Sequence, residues 1–104
     1  MKAHVATAKP VSRKGIRYEA IKGAKGRGLE QNGGYIAAID ESSDEELWIL
    51  KVYDVVYDGE MEDDKQDVLI TSLSTAWFGN RLIVSNERGE KFEVDLDTRA
   101  VSRK

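Results

Sequence analysis

The chain has 104 residues, of which 40% are hydrophobic and 34% charged, and a formal net charge of −3. That is enough for one small core and too little for two. With no cysteine and a single histidine, His4, the composition excludes disulfides, zinc–thiolate centres and thiol nucleophiles.

No apolar run approaches the roughly 18 residues of a membrane span. The opening MKAHVATAKPVSRKG lacks the apolar stretch of a secretory signal. The expectation is a cytoplasmic protein with no membrane partner. Charge is segregated along the chain. Residues 1–30 hold eight basic and two acidic side chains, residues 31–67 twelve acidic and two basic, and residues 68–104 five acidic and six basic. The near-neutral total hides a basic front and an acidic middle.

In chain order, residues 1–14 show no periodicity and read as a flexible basic tail, with a single β domain over 15–104. IRYEAI (16–21) alternates Ile16, Tyr18 and Ala20 with Arg17 and Glu19, as a half-exposed strand does. KGAKGRGLEQNGG (22–34) carries five glycines in thirteen residues and reads as a loop, long enough to be either mobile or useful. YIAAID (35–40) reads as a strand. In LWILKVYDVVY (47–57), seven of eleven residues are β-branched or Trp/Tyr. That predicts a strand covered on both faces and central in its sheet, against a helix opened by a Ser43–Glu46 capping box. DGEMEDDKQ (58–66) is an acidic connection. DVLITSLSTAW (67–77), RLIVSNE (81–87), KFEVDL (91–96) and a short RAVS (99–102) complete the set, with turns at Phe78-Gly79-Asn80 and Arg88-Gly89. The prediction is an all-β fold: a single antiparallel meander of six to seven strands, as a curled sheet, a small barrel or a sandwich.

Two stretches, GGYIAAIDESSDEELW (33–48) and NRLIVSNERGEKFEVDLDT (80–98), resemble strand–turn pieces of β-propeller blades of the pyrroloquinoline-quinone-type repeat. The first matches through Asp40 and the closing Trp48, the second through its Gly turn and Asp97-Thr98. The first departs from the repeat at Asp44, where glycine is usual, and the second lacks a closing Trp. The resemblance implies blade-like antiparallel hairpins. It transfers no quinone and no activity, since a ring needs at least four blades of about 40–50 residues.

Catalytic chemistry finds no constellation. His4 is the only candidate base for a serine nucleophile, and nearly all carboxylates fall at turns or on exposed alternations. GAKGRG (23–28) lacks the Lys-Ser/Thr ending of a phosphate loop. Asp58, Glu60, Glu62 and Asp64 alternate as oxygen ligands would. The glycine stands second instead of sixth, however, and Leu69 occupies the twelfth position where a calcium loop needs Glu. The aromatic residues, among them Trp48, Trp77, Tyr53, Tyr57 and Phe78, read as core and sheet-edge packing. Catalytic, cofactor-binding and metal residues are therefore expected to be none. The sequence favours a small non-enzymatic interaction module for an unidentified protein or ligand, with self-association through a sheet edge. The alternative is nucleic-acid contact by Lys22, Lys25 and Arg27, backed by Lys9, Arg13, Lys14 and Arg17. The acidic middle opposes it, and the expectation is no binding tighter than about 10⁻⁵ M at physiological salt.

Overall fold

The computed structural model describes residues 8–57, 59 and 66–104. Eight strands form among them: β1 (Val11–Arg13), β2 (Ile16–Ala20), β3 (Tyr35–Asp40), β4 (Glu46–Lys51), β5 (Ile70–Thr75), β6 (Arg81–Asn86), β7 (Lys91–Asp95) and β8 (Val101–Arg103). They make two four-stranded antiparallel sheets, ordered β1-β2-β3-β4 and β5-β6-β7-β8. The all-β reading holds. The single meander of six to seven strands does not, and no barrel closes among the described residues.

The division into two sheets follows from the alternation of side chains. In β6 and β7, Leu82, Val84, Phe92 and Val94 are buried and fall on one face. In β2 and β3, Tyr18, Ile36 and Ala38 do the same, and all seven belong to one core cluster. Eight strands in one layer would leave an apolar face in water. Stacking two layers buries both, at about 1.5–3 kcal/mol for each large apolar side chain.

The first sheet begins inside the stretch read as a flexible tail. Val11, Ser12 and Arg13 pair with Tyr18, Arg17 and Ile16, and Ala8 is part of the core. Three residues are too few to display a period, so this strand left no sequence signal. The paired structure thus starts before residue 15, while residues 1–7, His4 included, lie outside the described residues.

The segment 47–57 is also corrected. Its strand ends at Lys51, and β4 is an edge strand, not a central one. The Val52 amide donates to the Gly34 carbonyl at 2.7 Å, and the chain then leaves the sheet. The buried Gln31 side chain captures the departing backbone. Its Nε2 donates to the carbonyls of Gly33 and Tyr53, both at 2.8 Å, and its Oε1 accepts from the Val55 amide at 2.9 Å. Val52 and Val55 are buried because this segment crosses between the layers. Tyr53 stacks on Phe92 of the second sheet, ring centroids 5.2 Å apart.

The glycine-rich loop is therefore a joint. It holds a short 3-10 turn, Ala24–Arg27, and a polar network that ties both ends of the crossing. The Asn32 side-chain Nδ2 donates to Asp67 at 3.1 Å, and the Tyr57 hydroxyl donates to the other Asp67 oxygen. A Cβ on Gly33 would lie 2.2 Å from the Val68 carbonyl oxygen, so only glycine lets the two backbones approach this closely.

Candidate functional site

The basic residues singled out on sequence do not form one cluster. Lys22 and Arg27 line an open cleft of about 580 Å³ on the outer side of the first sheet, with Lys9, Pro10, Ala37 and Ile39. Glu19 and Glu46 line the same cleft, and Arg27 is bound to Glu46 at 2.6 Å. Arg17 is held by Asp44 and Glu19, which together raise its pKa further. Lys25 instead places its ammonium 4.1 Å from the centre of the Tyr57 ring. The cleft interleaves the cations Lys9, Lys22 and Arg27 with the carboxylates Glu19 and Glu46.

Of the acidic loop, Asp58, Glu60, Glu62 and Asp64 lie outside the described residues. Among the described residues no three His, Asp or Glu side chains converge on a metal-sized site, and no helix is long and apolar enough to cross a membrane.

The most unusual surface is the β5–β6 turn. Its frame is fixed by polar contacts from three directions. The Ala76 amide donates to the Arg81 carbonyl at 2.9 Å, and the Leu96 amide to the Asn80 carbonyl at 2.8 Å. From β1, Arg13 reaches across with Nε to the Asn80 side-chain oxygen at 3.0 Å and Nη2 to the Gly79 carbonyl at 2.9 Å. The Asn80 amide group in turn donates to Asp97 at 3.0 Å. A loop tied in this way pays little further ordering entropy when a partner arrives.

Yet its two largest side chains point outward. Trp77 is 90% exposed and Phe78 77%. Their rings meet edge to face, with centroids 6.1 Å apart and planes at 62°. This corrects the assignment of both residues to core and edge packing. Trp48 and Tyr53 do pack against the core, and Tyr57 serves the polar network. The missed signal is the run Ala76-Trp77-Phe78, where strand alternation breaks immediately before a Gly-Asn turn. Isolated exposed apolar residues are ordinary, but two adjacent aromatics on a braced turn are the usual chemistry of an interface anchor.

Comparison with known proteins adds no assignment: no protein-family model matches the chain, and no curated protein and no solved structure matches it either.

Proposed function

We propose that the chain is a non-enzymatic protein-interaction module that docks through the Trp77–Phe78 turn. The observation that carries this reading is the combination of a braced backbone and two solvent-facing aromatic rings. Trp and Phe bury 150–250 Å² each, at low conformational cost because each has only two side-chain torsions. A partner pocket accepting both rings would gain the central, desolvated contact that dominates interface energetics. The neighbouring Asn80 and Arg81 would supply a polar rim.

The test compares wild-type and Trp77→Ala/Phe78→Ala proteins as baits, with bound proteins quantified by mass spectrometry. A partner retained only by the wild type is then purified and titrated against a Trp48→Phe variant, in which Trp77 is the sole tryptophan. A blue shift of its emission is expected on binding. A partner that binds both baits equally, or leaves the emission unmoved, overturns the proposal.

A further inference from the structure

Each sheet has two edges, and an unpaired edge is a template for another strand unless it is blunted. Among the described residues three of the four edges are blunted. β1 has three residues, ends in Arg13 and is followed by Lys14; β8 has three residues and ends in Arg103 before Lys104. β5 lies against β1 and β2 of the other sheet. β4 carries a bulge near its N-terminal end, but its residues Trp48–Lys51 pair regularly with β3. It has six residues, ELWILK, with charge only at its ends and four apolar residues between them. Leu47, at the bulge opposite Ala38 and Ile39, is 44% exposed.

We propose that β4 pairs antiparallel with β4 of a second copy of this chain, centred on Ile49 opposite Ile49 of the other copy. The register follows from geometry. The Val52–Gly34 hydrogen bond sets the phase of the β3–β4 ladder. In an antiparallel ladder alternate residues point their amides toward the partner strand. Leu50 and Trp48 therefore face β3, while Ile49 and Lys51 present their N–H and C=O groups outward.

A two-fold axis perpendicular to the sheet keeps each side chain on its own face, so a residue can stand opposite itself but not opposite its neighbour. Centring on Trp48 would join residues whose backbone groups are already used. Centring on Ile49 joins free groups and aligns the most strand. It places Trp48 beside Leu50 of the other copy on the core side of the sheet. On the outer side it sets Ile49 against Ile49, and the Lys51 stem along Leu47. The result is one continuous eight-stranded sheet across two copies.

The experiment has two arms on the full chain. In the wild type, sedimentation velocity over a range of concentrations is expected to show a monomer–dimer equilibrium. Amide hydrogen exchange is expected to show protection at Ile49 and Lys51 that rises with the dimer fraction. In the second arm, Ile49→Lys sets like charges opposite each other and is expected to weaken the dimer by at least about tenfold. Mixing it with Ile49→Glu is expected to restore association, which a merely unfolded variant would not do. A wild type that stays monomeric overturns the proposal. So does concentration-dependent protection at β5 or β8 instead of β4, or a dimer that Trp77→Ala dissolves and Ile49→Lys does not.

Discussion

The two sheets carry the same turn at the same place. Between β3 and β4, the Asp40 carboxylate accepts from the amides of Ser42 and Ser43 at 2.8 and 3.3 Å. The Asp44 amide donates to the Asp40 carbonyl, and the Asp40 amide to the Glu45 carbonyl. Between β7 and β8, Asp95 accepts from the amides of Asp97 and Thr98 at 2.9 and 3.1 Å. The Arg99 amide donates to the Asp95 carbonyl, and the Asp95 amide to the Ala100 carbonyl. A hydroxyl three residues after each Asp, Ser43 or Thr98, accepts from the amide two residues further on. Asp44 and Arg99 both adopt left-handed backbone, φ 61° and 65°. One local solution therefore closes the third hairpin of each sheet, in two segments with little sequence in common beyond the Asp and the hydroxyl.

What differs is everything around that turn. The first sheet opens with a tight Lys14-Gly15 turn and has a long connector between β2 and β3, while the second opens with the aromatic turn and has a short connector at Glu87–Glu90. The lesson is a division of labour. The first sheet spends its extra residues on the internal joint that holds the layers together. The second spends them on a surface feature that contributes no core contact.

The comparison breaks first at the connectors. Gly33→Ala drives a Cβ into the Val68 carbonyl and is expected to cost about 3 kcal/mol or more. Its counterpart Gly89→Ala meets open space. It pays only for left-handed backbone at φ +81°, about 1–2 kcal/mol. Chemical denaturation of both variants checks the pair, and equal costs would mean that the long connector is not a joint.

Gln31→Leu comes next. It strands the Tyr53 carbonyl and the Val55 amide without partners in a buried setting and is expected to cost about 2–3 kcal/mol. The loss should appear as faster amide exchange over residues 53–55, with β6 and β7 unaffected until global unfolding.

The matched turns give a smaller, symmetrical prediction. The Asp40 carboxyl is held below its ordinary range, chiefly by the Ser42 hydroxyl and then by the amides of Ser42 and Ser43. Asp95 is held down chiefly by the amides of Thr98 and Asp97. A depressed folded-state pKa contributes stability that is complete above the unfolded value of about 4, and that is lost as pH falls through the lower folded value. Asp40→Asn and Asp95→Asn should each flatten the acid-induced loss of stability, and by similar amounts. Thermal melts from neutral pH down to about pH 2 measure this, and a response confined to one variant would show that the turns are not energetically equivalent.

The smallest effect sits at the aromatic turn. Trp77→Ala removes no buried contact and is expected to change stability by no more than about 0.5 kcal/mol. A loss of 2 kcal/mol or more would make Trp77 a packing residue and remove the basis of the proposed docking role.

Much of the local structure was legible in the chain. β2, β6 and β7 follow the alternation of IRYEA, RLIVSN and KFEVD, because a pleated strand turns successive side chains to opposite faces, whereas β3, YIAAID, is apolar on successive residues and buried over Tyr35–Ala38. The all-β class followed from those runs and from the turn residues between them. Other features depended on contacts between residues far apart in sequence. β1 is too short to show a period and exists because β2 offers it an edge. The apolar run 47–57 has strand composition throughout, yet Gln31, sixteen or more residues upstream, ends the strand by capturing the carbonyl of Tyr53 and the amide of Val55. Whether Trp77 and Phe78 are core or surface depends on which layer stands above their turn, and no local pattern records that. Sequence determined which segments are extended and which of their faces are apolar, since both are set by neighbouring residues. The tertiary structure alone decided how those faces were partitioned into two layers and which aromatics were left in water, because burial is a property of the whole packed chain.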